Sequence, residues 1–378
     1  MRVIGIREKI IWVAGIILVF VSCSACANKK SNMHEESLSE TQIWYSVGKK
    51  AATESLNLIK DSGIVPDIEN LIILTNSGYV EVGGGSTEAA IDGLASVTGV
   101  SRGSNTLIEI HTAIWSPLWF AVYDIKSGLC TYFQVDSNKV LSVSDPLAVM
   151  LVELFSHQAM ENIKYDHIYA HAAYFESTFG SKPFGGNEFR IIAIANAVAS
   201  GITGPLLRVL EFHDHFCPGI LSGIIMSDYL KNNFPPEPGG EYFVHSIDPW
   251  CKEDALIVLL NATPGKKSYS VSYLTAEDKA DWVQEIQDVS SIVFRQNPQS
   301  KIWEGLALAF HWPEINVPEF PDDSVKKLYR SLWFLDHIEA YEDFIQELKR
   351  FKLSEGLTPH DWVKKGHRIF NRLQFEEN

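Results

Sequence analysis

The chain has 378 residues, 46% of them hydrophobic and 21% charged, enough for one large domain or two ordinary ones with a real core. Its 47 acidic side chains against 32 Lys and Arg leave a net charge of −15, which argues against nucleic acid as a partner, because phosphate binding needs clustered cations. No low-complexity tract appears, so bulk disorder is not expected.

The first residues read as an export signal. Arg2, Arg7 and Lys9 make a basic start, and Ile10 to Val21 is an unbroken apolar run, short of the roughly 20 residues that span a bilayer. It leads into Val21-Ser22-Cys23-Ser24-Ala25-Cys26. Small residues around a cysteine after an apolar core resemble a bacterial lipoprotein signal, in which the cysteine is acylated and becomes the new N-terminus. Cys23 is the expected lipidation site, with Cys26 after Ala25 as the alternative; a plain cleaved signal or an uncleaved anchor is the other reading. Residues 1–22 are thus a signal peptide, residues 23–42 a polar tether, and the protein an extracytoplasmic, membrane-anchored lipoprotein.

Two stretches of the remainder repeat one another. "AAIDGLASVTGVSRG" from Ala89 and "CKEDALIVLLNATPG" from Cys251 align so that Asp92 falls on Asp254, Ser101 on Thr263 and Gly103 on Gly265. Each reads as a short helix closed by a polar loop. Strand candidates precede them ("ENLIILTN", "EYFVHSID") and follow them ("NTLIEIHT", "KSYSVSYL"). The pattern predicts an α+β protein with two related core domains in tandem. The first, over residues 43–150, is a degenerate copy and the second spans 205–320. Residues 151–204 are read as a helical linker that includes "FRIIAIANAVASGITG". Residues 321–378 are read as C-terminal helices, with apolar steps of three and four from Asp323 to Phe351.

The chemistry concentrates in the second copy. Past the leader the cysteines are Cys130, Cys217 and Cys251, too few for a disulfide scaffold and at most one bridge. Cys217 stands in "EFHDHFCPG", with His213 and His215 at alternate positions before it and Pro218 after it. Pro218 biases Cys217 to extended backbone and suits the first turn of a helix. In an extended segment His213, His215 and Cys217 share one side, and Cys217 lies at a helix N-terminus that favours its thiolate. Thiolate beside imidazole suits Zn²⁺ or another transition metal. Cys251 is placed to close that site, and Asp254, one helical turn on, to orient an imidazole. The plainer alternatives are a core histidine at His213, a Cys217–Cys251 disulfide, and Asp254 as a helix-terminal charge.

"FHDHFCPGILSG" resembles the signature of the formylmethanofuran dehydrogenase E-subunit family, a His-x-His-x-Cys-Pro-Gly run that opens a helix. The family's second block, Cys-Gly-Val-Asp-Ala followed by Thr-Gly-Cys-Thr-x-Gly-Lys, is matched by Cys251-Lys-Glu-Asp254-Ala255 and then Asn261-Ala262-Thr263-Pro264-Gly265-Lys266. The resemblance covers roughly residues 205–320, and it implies that this chain carries a covalent pair of a core that relatives use singly, a pseudo-dimer within one chain. Two departures matter: Ala262 stands where the family has a second cysteine, and a lipoprotein-like leader is foreign to a cytoplasmic methanofuran enzyme. The expected metal ligands are His213, His215, Cys217 and Cys251, with Cys217 and Asp254 as catalytic candidates. Three functions follow: a metal-dependent enzyme or binder acting on a small-molecule ligand, a metal-free thiol redox protein with Cys217 as nucleophile and Cys251 resolving, or a lipoprotein capturing a metal or cofactor without turnover. Weaker candidates are the pair His167 and His171, the glycine run Gly83 to Thr87, the turn Thr263 to Lys267, and His111. Trp115, Trp119, Trp250 and Trp312 are expected in the core or an interface.

Overall fold

The structure is a computed structural model and describes residues 38–280, 287–297 and 299–363. The expected signal peptide, Cys23 and Cys26 lie outside those residues. Ser39 and Gln42 form a capping box that starts helix α1 (Glu40–Asp61), inside the stretch expected as tether. Strand β1 (Leu71–Thr75) follows. A tight hairpin of β2 (Glu81–Val82) and β3 (Gly85–Ser86) comes next. Gly83 and Gly84 at its tip both have positive φ, as a two-residue hairpin turn requires, so the glycine run is a turn. Then come α2 (Ala89–Thr98), β4 (Leu107–Glu109), β5 (Trp119–Asp124), β6 (Leu129–Val135), α3 (Ser137–Val140) and β7 (Phe155–Asn162). Helices α4 (Tyr165–Ala170), α5 (Ala172–Ser181), α6 (Glu188–Ala199), α7 (Gly204–His213) and α8 (Pro218–Asn233) lead into β8 (Tyr242–Ile247). The second half continues with α9 (Lys252–Leu260), β9 (Tyr269–Ser272), α10 (Ala276–Ala280), β10 (Ser291–Gln296) and β11 (Trp303–Phe310). It ends with α11 (Asp323–Asp336), β12 (Ile345–Lys352) and α12 (Pro359–Val363).

The strands form two five-stranded sheets with one topology, β4-β1-β5-β6-β7 and β9-β8-β10-β11-β12. In each, the first pair is parallel and the other three antiparallel. In each, the last pair carries a register shift, at Gln134/Val135 in one sheet and Ala307/Leu308 in the other. The likeness extends to single atoms in the loop after each short helix. Ser101 N–H donates to Thr106 Oγ1 and Thr106 N–H to Ser101 O; Thr263 N–H donates to Ser268 Oγ and Ser268 N–H to Thr263 O. Asn105 and Lys267, at matching places in these loops, both have a φ of 58°. The chain is therefore α+β with two similar cores, as the repeat predicts. Thr263–Lys267 is one of two copies of a backbone turn, not a built anion site; the Lys266 ammonium is held by Asn261.

Burial arranges these parts in layers. One face of the first sheet, with Leu71, Ile73, Phe120 and Val122, packs on α1 and α2. Its other face shares a core with α6, α7, α8 and the facing side of the second sheet, through Ile72, Leu74, Ile191, Leu210, Ile224, Val244 and Val293. A third cluster around Phe294 and Trp362 closes the far side of the second sheet.

Two strands lie where the sequence pattern predicts helix. β7 falls in the stretch read as a helical linker, and β12 in the stretch read as C-terminal helices, where α11 stops at Asp336. The cause is the bulge. On β12, Leu308 pairs with Glu347 and Ala307 with Lys349, so Leu348 is the extra residue. The extra residue breaks the two-residue alternation: Ile345 packs in the central core and Leu348 and Phe351 in the cluster around Phe294 and Trp362, so their steps of three imitate a helix face in sequence while lying on opposite sides of the strand. Ser156 is the extra residue on β7 in the same way.

Candidate metal centre

Helix α7 ends at His213, and Asp214 then takes the left-handed conformation, φ 69°. Asp214 supports that turn itself: its carboxylate accepts from His215 Nδ1 at 2.8 Å and from the Arg190 guanidinium at 2.7 Å. Phe216 is buried, and Cys217 is extended at φ −150°, ψ 164°, as the N-cap of α8, with Pro218 in the first turn. The extended backbone expected at Cys217 is present. The extended run from His213 is not, because residue 213 is still helical; the reversal at Asp214 brings the two imidazoles together instead, with ring centroids 4.3 Å apart. Cys251 arrives from the loop before α9, which packs against α8. Gly219 permits that approach, since a Cβ there would meet the Cys251 Cβ at 2.8 Å and its Sγ at 3.1 Å.

The structure brings the four expected ligands together: one donor atom each from His213, His215, Cys217 and Cys251, all within 4.8 Å of one another. Among the described residues it is the only such group of His, Cys, Asp and Glu. His213 Nδ1 donates to Asp254 Oδ2 at 2.7 Å, the orienting role expected of Asp254. Each carboxylate fixes a proton on Nδ1 and leaves Nε2 to face the sulfurs; His213 Nε2 is 3.8 Å from Cys217 Sγ. Cys217 Sγ also accepts the Ile220 N–H at 3.4 Å. Both thiols are free. Two imidazoles and two sulfurs form the donor set of a tetrahedral Zn²⁺ site, and the residues present fit such an ion.

Electrostatics divide the thiols differently from the expectation. Contact with the Cys217 S–H and the imidazoles of His213 and His215 holds the Cys251 thiol far below its ordinary range, against the opposing effect of burial. Cys217 is pushed up, first by that neighbouring sulfur and then by burial, which its place at the helix N-terminus does not offset. The two shifts run in opposite directions and favour the negative charge on Cys251 over Cys217. Burial lowers the His213 pKa, but the bonds to Asp254 and Cys251 outweigh it and raise it to about 9.

A cavity of about 790 Å³ opens against this cluster. Cys217, Gly219 and Cys251 form part of its wall, and Trp250, Trp312, Lys327, Arg330 and Phe334 much of the rest. Sequence reasoning placed Trp250 and Trp312 in a core or interface; both are half-exposed here, with ring centroids 5.2 Å apart. Trp119 is buried as expected, whereas Trp115 is exposed. Lys327 was missed altogether. Its ammonium lies 3.4 Å from His215 Nε2 and 4.5 Å over the Phe189 ring. The only sequence signal was a cationic i,i+3 pair, Lys327 and Arg330, on the face of α11 that also carries Phe334. The His167 and His171 rings lie tilted with centroids 4.2 Å apart and gain no third ligand among the described residues, and His111 stacks on Phe212 at 5.5 Å.

No curated protein matches this chain. Residues 212–298 match the family described as "FmdE, Molybdenum formylmethanofuran dehydrogenase operon". The match begins just before His213 and takes in all four donors and Asp254, whereas Trp312, Lys327 and Arg330 lie beyond its end. The segment that assembles the His/Cys cluster, residues 212–298, is thus an FmdE domain within this chain.

Proposed function

We propose that this chain is an exported, membrane-tethered metal protein that holds Zn²⁺ or a similar transition metal on His213, His215, Cys217 and Cys251 and acts on a small molecule in the adjoining cavity. One observation carries the reading: four metal-type donors converge within 4.8 Å, and two of them, Cys217 and Cys251, also line the cavity. A bound ion would supply a Lewis-acidic centre at the cavity floor. The residues around it have separate tasks: Asp254 and Asp214 orient the imidazoles, Gly219 admits Cys251, and the tryptophans exclude water. The export part rests on the leader alone, with Cys23 as the acylated residue.

Cobalt substitution tests the site. The Co²⁺-loaded protein should show thiolate-to-metal absorption that weakens in Cys217→Ser, and its visible bands should shift when a cavity ligand is added if a coordination position is open. Unchanged bands with every ligand would make the ion structural. Membrane fractionation with lipid labelling tests the leader: label should enter the wild type and be lost in Cys23→Ser.

A second reading has one observation in its favour, the Cys251 thiolate beside a Cys217 thiol. In a metal-free redox protein Cys251 would attack and Cys217 resolve, the reverse of the order read from sequence. Alkylation of Cys251 well ahead of Cys217 in protein as purified, with no metal bound, would favour it.

A further inference from the structure

One wall of the cavity, beside the cluster, is built by one helix face. Lys327, Arg330 and Phe334 are spaced i, i+3 and i+7 on α11, so their side chains rise together over the cluster. Neither cation is committed elsewhere: among the described residues no carboxylate forms an ion pair with Lys327 or Arg330. The Lys327 ammonium is partly buried, its contacts being the His215 ring nitrogen and the Phe189 face. Among the described residues Glu314 is the one carboxylate in the lining, against the two cations of α11.

The remaining wall is largely aromatic. Trp250 and Trp312 meet edge to face at 5.2 Å, and Trp312 meets Phe334 at 5.6 Å in the same manner. The two indoles, 49% and 43% exposed, present apolar surface that none of the described residues covers. A pocket of about 790 Å³ with such walls has the size and chemistry of a small-molecule site.

We propose that the cavity binds a planar small molecule carrying a carboxylate, with the acid held by Lys327 and Arg330 and the ring laid against Trp250 and Trp312. A guanidinium is matched to a carboxylate by its planar pair of N–H donors, and the ammonium beside it is already desolvated by Phe189. The inference rests on the small-molecule reading of this site, but its residues are not the metal ligands. α11 lies past residue 298, so the two cations stand outside the matched segment while Trp250 stands within it.

The probes are indole-3-acetate, the uncharged indole-3-acetamide, and acetate, titrated into the full chain by calorimetry with the metal content of each sample measured. Indole-3-acetate should bind at least about tenfold more tightly than either comparator, a step worth about one charged hydrogen bond. Lys327→Met should abolish the preference for acid over amide, and Trp312→Ala should reduce binding of both indoles; neither should change metal content. Equal binding of acid and amide, an unchanged preference in Lys327→Met, or no saturable binding of indole-3-acetate would each overturn the proposal. Acid preference in a protein that holds no metal would sustain it while sinking the metal reading. Metal without acid preference would do the reverse.

Discussion

Asp254 shows how much of the site depends on residues that touch no ligand position. Its carboxylate fixes the His213 tautomer, and its own side chain is partly exposed, so little else depends on it. Asp254→Asn should therefore weaken metal binding by about 10–100-fold with the fold intact, read by competition with a chelator. Protons give a second check. In the metal-free protein His213 stays protonated to about pH 9, and the Cys217 thiol is pushed up, whereas Cys251 is already ionised. A metal arriving at neutral pH must displace the His213 and Cys217 protons, about two in all. Lower pH then opposes binding: affinity should fall by about a hundredfold per unit on acidification near pH 7. Calorimetry in buffers of different ionisation enthalpy measures the release, and a value near zero would remove this account of the cluster. His213, His215 and Cys217 were legible because cysteine and histidine at short spacing are rare and chemically specific, and Cys251 because few cysteines follow the leader and the family's second block opens on it. Their geometry was not, since the reversal comes from Asp214 in a left-handed turn, and an aspartate there carries no obvious turn signature.

Among the elements, close approaches of helices decide stability and register. Gly223 on α8 faces the Lys252 carbonyl, where a Cβ would sit 2.2 Å from the oxygen; Gly48 on α1 faces the Ala90 carbonyl, with a Cβ at 2.0 Å. These are matching contacts in the two halves. Alanine at either position must push two helices apart, and a loss of about 1–3 kcal/mol is expected. Gly180 in α5 has open space around it, so Gly180→Ala should instead stabilise by about 0.5–1 kcal/mol. Urea unfolding of the three variants checks both signs at once. The strands β1, β8, β4 and β9 and the helices α2 and α9 were legible from runs of apolar residues closed by turn signals. β7 and β12 were not, because an extra residue in each interrupts the two-residue alternation by which a strand is read. The cavity wall was not legible either: α11 reaches the cluster across more than a hundred residues of sequence, a placement that only packing determines.

At the scale of the whole molecule, the two halves share strand order, pairing sense, bulge and loop hydrogen bonds, yet they differ at the cluster. The likeness matches the repeat read from the sequence, and the difference falls on the residues that would hold an ion. Aligning the helices on Gly48 and Gly223 puts Gln42 at the place of Cys217 and Trp44 at the place of Gly219; aligning the following helices puts Ala89 at the place of Cys251. Gln42 serves the α1 capping box, and Trp44 is buried, so a bulky indole stands where the second half needs the smallest residue to let a cysteine approach. The first half can therefore hold no equivalent ion, and the chain should bind about one metal, not two, per molecule. Cys251→Ala should take that number to near zero. Installing the two missing thiols, Gln42→Cys with Ala89→Cys, should leave it at about one, because Trp44 still fills the space and Leu38 and Glu40 stand at the places of the histidines. Elemental analysis of these proteins decides the matter: two ions per wild-type chain, or one retained in Cys251→Ala, would mean that metal sits somewhere other than this cluster.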